Sequence, residues 1–164
     1  MSAVDRIIDE TDLLILTKLQ ENARETQTEI ARVVGLAPSA VLERIRKLEA
    51  RRVIRGYAAQ LDPDALGQGM LAFVAVRSAE GPSEDFVAQQ LADLPETLEV
   101  HHVAGDDCYL VKVRTRSSEH LGTLLRTQIG RIPGVRSTRT TIVLETIKET
   151  SRLTSPRAVP EAAV

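Results

Sequence analysis

The chain has 164 residues, 43% of them hydrophobic, and a formal net charge of −2 at pH 7, which is enough for one ordinary domain or two small ones with buried cores. Aromatic residues make up only 2%, which argues against RNA or single-strand binding through stacked aromatic platforms, and the single cysteine, Cys108, cannot form an internal disulfide. No apolar run approaches the length of a membrane span, and the acidic N-terminus is unlike a signal peptide. We therefore expect a cytoplasmic protein.

The first predicted helix begins at Asp9 or Thr11, because either side chain suits the N-cap position. Leu13, Leu16 and Leu19 follow at helical spacing and are predicted to supply most of its buried stripe. Two further helices are predicted after it.

The second predicted helix follows Thr26, which has Glu29 three residues later. In this spacing, a capping box, the two side chains satisfy backbone N–H groups that a helix start leaves without partners. Gly35 supplies a turn that tolerates positive φ, and Leu36 is predicted to fill the gap before the next helix. The predicted apolar stripe is Ile30, Val33 and Val34.

Pro38 opens the third predicted helix, where its missing N–H costs nothing. Val41, Ile45 and Leu48 recur at helical spacing and are predicted to face inward. The outward face has small residues first and charged ones further on: Ser39, Ala40, Glu43, Arg46 and Lys47, with Arg44 on the flank. A short helix of this kind fits the major groove of DNA, so we predict a DNA-reading helix-turn-helix.

The distribution of charge supports this prediction better than the net charge does. Residues 38–56 contain six cations and two acids, whereas residues 57–164 contain eleven cations and fourteen acids. A basic patch on an acidic body favours a localised contact with DNA over adhesion to any polyanion. The alternative is that the basic run is only a solvated helix face.

Cations in a DNA-binding protein either anchor it to phosphates or read base edges. We assign Arg51, Arg52 and Arg55 to phosphates, because they lie at or beyond the end of the third helix. Glu43 is a candidate for base readout or for orienting an arginine through a charged hydrogen bond. The candidate DNA contacts are Gln27, Thr28, Ser39, Ala40, Glu43, Arg44, Arg46, Lys47, Arg51, Arg52 and Arg55.

Residues 53–60 are predicted to form a short strand pair or wing, which would make residues 1–60 a winged helix-turn-helix domain. Residues 61–69, rich in Pro, Gly and Asp, are the predicted hinge. Residues 149–164, which are polar and contain two prolines, are predicted to be a flexible tail.

Residues 70–148 are predicted to form an α+β domain in the order β-α-β-β-α-β, the ferredoxin-like plan of four antiparallel strands with two helices on one face. Strands are predicted over 70–76, 98–104, 109–114 and 137–144, and helices from Ser83 and Ser117. The residues predicted to be buried on these helices are Phe86, Val87, Leu91 and Leu94, then Leu121, Leu124, Leu125 and Ile129. The uncovered side of the sheet leaves a face or an edge for a partner subunit.

Four motifs occur in order along the chain: Ile8-Asp9…Asp12 with Leu16, GLAPSAVLERIRKLEARRVIRGY, VAGDDCYL and PGVRSTRTTIVLETIK. With these motifs the chain resembles the Lrp/AsnC family of bacterial and archaeal transcription regulators from about Ile8 to Lys148. The resemblance implies a winged helix-turn-helix, a hinge and a sensing domain. It also implies a homodimer that assembles further, often to an octamer, and that responds to an amino acid or related metabolite. Ala37 departs from the serine that often precedes Pro38 in the family.

The resemblance further implies an effector site near a loop of Gly-Asp-x-Asp-Tyr type, here residues 105–109, which we call the sensor loop; Cys108 replaces its second acid. Backbone N–H groups of a compact turn suit a carboxylate, and Asp106 or Asp107 is a candidate acceptor for an ammonium. The alternative is an ordinary β-turn. The candidate effector contacts are His102, Gly105, Asp106, Asp107, Cys108, Tyr109, Thr140 and Thr141.

A metal site near the sensor loop is a weaker hypothesis. His101 and His102 are adjacent on a strand and point to opposite faces, and no recognised Cys/His ligand spacing is present. Nucleophilic catalysis by Cys108 with His102 or His120 has no sequence feature that fixes the geometry. We therefore predict no metal, no cofactor other than an amino-acid effector, and no enzymatic activity.

The leading functional hypothesis is a sequence-specific, amino-acid-responsive transcription regulator that binds double-stranded DNA. The alternative is an architectural protein that organises DNA without a ligand. A metabolic enzyme or a pure metabolite-binding module is disfavoured by the helix-turn-helix.

Overall fold

The structure is a computed structural model that describes residues 8–79, 86–105 and 107–154. Its contacts divide the chain into two units. The N-terminal unit is Met1–Ala59 with Glu149–Val164, and the sheet unit is Gln60–Lys148. Each unit has a hydrophobic core of its own. None of the helices in the described ranges is long and apolar enough to cross a membrane.

Helix α1 is Glu10–Glu21, and Asp9 caps it as predicted. The Asp12 backbone N–H donates to Asp9 Oδ1 at 2.8 Å, and the Asp9 N–H donates to Asp12 Oδ2 at 3.3 Å. The predicted stripe was wrong in part, because the fully buried residue of α1 is Ile15, while Leu13, Leu16 and Leu19 are half-buried. In a leucine-rich helix several faces are apolar, so spacing alone does not select the one that packs.

Helices α2, Gln27–Val34, and α3, Pro38–Ala50, form the predicted helix-turn-helix. The Thr26–Glu29 capping box is present, and Gly35 ends α2 in the left-handed region with a φ of 70°. Ala37 gives α3 no side-chain cap. The buried residues of these two helices are Ile30, Ala31, Val41, Ile45 and Leu48. The inward face of α3 is therefore confirmed.

Two apolar residues of the turn region are more exposed than predicted. Val33 is 53% exposed and Leu36 is 36% exposed, whereas Ile30 is fully buried. Ala31, which is 4% exposed, takes the buried place that the sequence analysis gave to Val33.

The strand pair expected over residues 53–60 does not form, since these residues have neither helix nor strand. The backbone N–H groups of Val53 and Ile54 both donate to Leu48 O, at 2.9 and 3.2 Å, and thereby close the end of α3. Ile54 packs on the core of the N-terminal unit. A strand needs a partner, and the described residues supply none here.

Residues 149–154, which we call the C-terminal segment, join the N-terminal unit. The Gln20 amide pairs with the backbone of Leu153: Gln20 Nε2 donates to Leu153 O at 3.1 Å, and the Leu153 N–H donates to Gln20 Oε1 at 2.7 Å. This part of the predicted tail thus has specific contacts with α1, while residues 155–164 lie outside the described ranges.

The sheet unit has the predicted order. Its elements are β1 Met70–Ser78, α4 Phe86–Ala92, β2 Thr97–His102, β3 Tyr109–Thr115, α5 Ser118–Thr127, a 3-10 turn Ile129–Arg131 and β4 Val135–Ile142. The strand order is β2-β3-β1-β4, and every neighbouring pair is antiparallel. The ferredoxin-like plan is therefore confirmed, with strand ends that differ from prediction by one or two residues.

The core of the sheet unit lies between the sheet and the two helices. Alternate residues of the central strands β1 and β3 enter it, together with Val87, Leu91, Leu121, Leu124 and Ile129. Leu94 and Leu125 are half-buried against it, whereas Phe86 is 51% exposed, so its predicted burial was wrong. Ser117 caps α5 as predicted, and the predicted start of α4 at Ser83 lies outside the described residues.

Candidate DNA-binding surface and sensor loop

The outward face of α3 is exposed as the sequence predicted. Ser39, Glu43, Arg46 and Lys47 are exposed, and Ala40 is half-buried. Because Val41, Ile45 and Leu48 are buried on the opposite side, the helix is held rigidly by packing while its polar face remains accessible. Gln27 and Thr28 are exposed at the start of α2.

Glu43 pairs with a lysine instead of orienting an arginine. Lys47 Nζ lies 2.6 Å from Glu43 Oε1, one helical turn away, and both side chains are exposed. The hydrogen bond from Lys47, with its charge, holds the pKa of Glu43 below its usual value. Exposed pairs of this kind contribute little to stability, so both groups remain exchangeable for contacts with DNA.

Arg44 has a structural role within the N-terminal unit. Its Nη1 lies 2.7 Å from Asp9 Oδ2 and 2.8 Å from Asp12 Oδ1, so one guanidinium joins α3 to the capping box of α1. The Asp12 side chain is 12% exposed. The predicted contact of Arg44 with DNA would have to be made in addition to, or in exchange for, these two ion pairs.

We expect Arg44→Ala to lower the free energy of unfolding of the N-terminal unit by about 1 to 3 kcal/mol, because it leaves a buried acceptor of Asp12 without its donor. Arg46→Ala, on the exposed face, is the matched control and should change it by less than about 0.5 kcal/mol. Chemical denaturation of both variants measures the difference. Equal stability of the two variants would contradict the structural role of Arg44.

The ion pair between Arg44 and Asp9 should also make the free energy of unfolding of the N-terminal unit depend on pH. A hydrogen bond from the Asp12 backbone, and then one from Arg44, lower the pKa of Asp9 from its usual value of 3.8. A group with a lowered pKa in the folded state stabilises it above the unfolded value and loses that contribution as pH falls through the folded value. The stability gap between the wild type and Arg44→Ala should therefore narrow below about pH 4, as acid denaturation at fixed temperature would show.

The arginines beyond α3 are exposed. Arg51, Arg52 and Arg55 follow the helix without entering the core, in agreement with a role at phosphates. Arg52 has a φ of 56°, the left-handed conformation that glycine adopts more easily.

The last acid of this region, Glu49, accepts a hydrogen bond from the Tyr57 hydroxyl at 3.0 Å. Partial burial, together with that bond, raises the pKa of Tyr57 to about 12. The Tyr57 hydroxyl therefore stays protonated and donates its hydrogen bond to Glu49 Oε1.

The sensor loop is closed by backbone hydrogen bonds. The Val103 N–H donates to Cys108 O at 3.0 Å, and the Cys108 N–H donates to Val76 O at 3.0 Å. Gly105 has a φ of 125°, which only glycine adopts without strain. Asp106, a candidate effector contact, lies outside the described residues. Cys108 is half-buried, and its Sγ accepts from the Ser78 N–H at 3.5 Å, so the thiol faces the end of β1.

A cation that the sequence analysis missed pairs with the sensor loop. Arg139 Nη2 on β4 lies 2.7 Å from Asp107 Oδ2, and the arginine side chain is 78% exposed. The loop and β4 thus place a carboxylate and a guanidinium side by side, which is the charge pattern that a zwitterion complements. The sequence contained a signal for Arg139 as a site residue. Side chains alternate along a strand, so Arg139 lies on the same face as the candidate Thr141.

The remaining effector candidates are divided between the two faces of the sheet. Thr140 pairs with the buried Val74, whereas Thr141 pairs with Phe73, so the two threonines point in opposite directions. His102 packs on the buried Tyr109, with ring centroids 5.5 Å apart. Arg139 and Thr141 therefore lie on one face of β4, and Asp107 forms its ion pair with Arg139 on that face. Thr140 lies on the opposite face.

Among residues 8–79, 86–105 and 107–154 there is no cluster of three or more His, Cys, Asp or Glu side chains placed to hold a metal ion. His101 instead contacts Glu99 at 3.0 Å, and Lys112 contacts the same carboxylate at 3.1 Å. These hydrogen bonds, from His101 and then Lys112, lower the pKa of Glu99.

Comparison with known proteins gives matches over both units. The family description "AsnC-type helix-turn-helix domain" matches residues 8–49, and "Lrp/AsnC ligand binding domain" matches residues 71–153. The HTH-type transcriptional regulator FL11 of Pyrococcus horikoshii is 45% identical over 146 residues, which cover 89% of this chain and 95% of the relative. The leucine-responsive regulatory protein of Escherichia coli K12 is 38% identical over 148 residues, covering 89% and 90%.

A solved structure of a transcriptional regulator from Neisseria meningitidis in complex with L-Met is also similar. Its TM-score is 0.85 at 29% sequence identity, and the match covers 93% of this chain and 99% of that one. The Pyrococcus relative and the Neisseria structure are both named as transcriptional regulators, in agreement with the predicted absence of enzymatic activity.

Proposed function

The chain belongs to the Lrp/AsnC family of transcriptional regulators, and from that premise we propose that it binds specific DNA sequences under the control of an amino acid or a closely related metabolite. The observation on which the DNA part depends is the structure of α3. Its apolar side is fully packed, and its opposite side presents Arg46 and Lys47 to solvent. A rigid helix with exposed cations and small residues near its start is suited to the major groove.

The amino-acid part is supported by two independent observations. One relative is named as leucine-responsive and a similar structure was solved with L-Met. In this chain, Asp107 and Arg139 supply an acceptor for an ammonium and a donor for a carboxylate at one place. An α-amino acid presents both groups, and would exchange the Asp107–Arg139 ion pair for two contacts of its own.

The proposed effect on DNA binding requires that the effector prefer one state of the protein. A ligand that binds two states equally shifts nothing. We propose that the states are different assemblies of a homodimer, up to an octamer, because β2 and β4 are the edge strands of the sheet within the described chain.

The function is tested by measuring DNA affinity and particle size with and without each of the twenty amino acids. Duplexes selected from a random pool serve as specific DNA, and scrambled duplexes as the reference. A change in affinity or in size with at least one amino acid supports the proposal. Sequence-specific binding that no amino acid alters would reject the effector part and leave the architectural alternative.

We expect Asp107→Asn to weaken effector binding at least tenfold, because it removes the charged acceptor for the ammonium. Asp93→Asn, an exposed acid at the end of α4, is the matched control and should bind the effector as the wild type does. Calorimetry with the amino acid found in the screen measures both. Unchanged affinity of Asp107→Asn would remove the sensor loop from the site.

A further inference from the structure

One arginine of α3 and the two acids of the α1 capping box form a closed network of hydrogen bonds. Asp9 Oδ1 accepts from the Asp12 backbone N–H, and Asp12 Oδ2 accepts from the Asp9 N–H. The other two oxygens, Asp9 Oδ2 and Asp12 Oδ1, both accept from Arg44 Nη1, at 2.7 and 2.8 Å. Each of the four carboxylate oxygens therefore has a donor within the network, and Arg44 is held at one position against the start of α1.

This network holds Arg44 more firmly than an exposed ion pair would. The Asp12 side chain is 12% exposed, whereas the Asp9 side chain is 54% exposed. An exposed pair contributes little to stability and is exchanged easily for other partners. Removing the cation from a nearly buried carboxylate is costly, because the carboxylate is left without a compensating charge. We therefore expect Arg44 to stay on Asp12 when a DNA phosphate is the alternative partner.

Arg44 lies on a stripe of α3 that also contains candidate DNA contacts. Ala40 is one turn before it and Lys47 is one turn after it, at the spacing that places side chains on the same side of a helix. The apolar side chains of Val41 and Ile45 hold α3 against the core, but apolar burial has no preferred direction. Charged hydrogen bonds add geometric specificity, so the two bonds of Arg44 fix the rotation of α3 about its own axis.

We propose that Arg44 is a positioning residue for DNA reading, which orients the exposed face of α3 through Asp9 and Asp12 and does not itself contact DNA. The inference rests on the proposed binding of specific DNA sequences and deepens it, because it gives the capping box of α1 a role in sequence preference. One guanidinium and two carboxylates have a formal charge of −1 together, which disfavours a phosphate at this position.

The test compares Arg44→Gln, Asp12→Asn and the double variant in their binding to specific and scrambled duplexes. Each single variant should bind specific DNA roughly tenfold more weakly, the effect of one lost base contact, and should bind scrambled DNA nearly as the wild type does. The double variant should lose no more than either single variant, because both changes remove the same interaction. Asp93→Asn, which removes an exposed acid of the sheet unit, is the matched control and should bind as the wild type does.

Two further measurements distinguish positioning from a phosphate contact and from a loss of folded protein. The slope of log affinity against log salt should be unchanged in Arg44→Gln, whereas loss of a phosphate contact would reduce it by about 0.9. A titration at protein concentrations far above the dissociation constant counts the binding-competent molecules. The affinity can then be expressed per competent molecule, which unfolding alone would leave unchanged.

Weaker specific binding per competent molecule in both single variants, with an unchanged salt slope, supports the proposal. Three results would overturn it: wild-type or tighter binding by Asp12→Asn, a salt slope reduced by about 0.9 in Arg44→Gln, or losses confined to the fraction of competent molecules. A wild type that does not distinguish specific from scrambled DNA would instead refute the proposed function, and this inference with it.

Discussion

Replacing Ile30 with alanine is expected to lower the free energy of unfolding of the N-terminal unit by about 3 kcal/mol. Ile30 is fully buried where α2 packs on α1 and α3, so the shorter side chain leaves a cavity in a small core. Val33→Ala lies one turn further along the same helix and is the matched control. Because Val33 is 53% exposed, its truncation should cost no more than about 0.5 kcal/mol.

Amide hydrogen exchange can read this effect in each unit separately. Protection of the amides of α1, α2 and α3 should fall in Ile30→Ala, while protection of β1 and β3 should not change, since the two cores are separate. Specific DNA binding should weaken in parallel with the population of unfolded N-terminal unit. Equal losses in Ile30→Ala and Val33→Ala would show that α2 does not bury Ile30 in preference to Val33.

The second large effect is expected at the DNA surface. Arg46→Ala should lose roughly tenfold to a hundredfold in affinity for specific DNA and much less for scrambled DNA, because a good contact to a base edge contributes about 1 to 3 kcal/mol of discrimination. Arg52→Gly should weaken binding to both duplexes alike, and should reduce the slope of log affinity against log salt by about 0.9.

Glycine is the better replacement for Arg52, because this residue has a φ of 56°. The change removes the cation and relieves the left-handed backbone at the same time. A fall in DNA affinity without a fall in stability therefore reports on the phosphate contact alone. The measurement is a titration of Arg46→Ala and Arg52→Gly with specific and with scrambled DNA at several salt concentrations. If both variants lose affinity for the two duplexes in the same proportion, the distinction between base reading by Arg46 and phosphate contact by Arg52 is wrong.

Local features of this fold were predictable because they depend on a few neighbouring residues. The Thr26–Glu29 capping box, the left-handed Gly35 and the Asp9 cap are each determined within one helical turn. The order of strands and helices followed from the change in hydrophobic period, and β3 alternates as expected of a half-buried strand, whereas β1 is buried at consecutive positions.

Features that depend on distant parts of the chain were not predictable in the same way. Which side of α2 is buried, with Ala31 rather than Val33 inside, depends on how α2 packs on the other helices, and apolar spacing does not encode this orientation. The ion pairs Arg44–Asp9 and Arg139–Asp107 join residues 35 and 32 positions apart. A charge at each of these positions was visible in the sequence, but its partner was set by the packing of helices and by strand register.

The pairing of Gln20 with Leu153 can form only late in synthesis, because Leu153 follows the whole sheet unit in the chain. A ribosome produces α1, α2 and α3 first, and at about 5 to 20 residues per second it needs roughly 5 to 20 s more to reach Leu153. The DNA-reading helices of a nascent chain therefore precede the whole sheet unit and the C-terminal segment. Truncated translation products that stop within residues 70–148 would contain the sequence of these helices but would lack the Leu153 contact and part of the sheet unit.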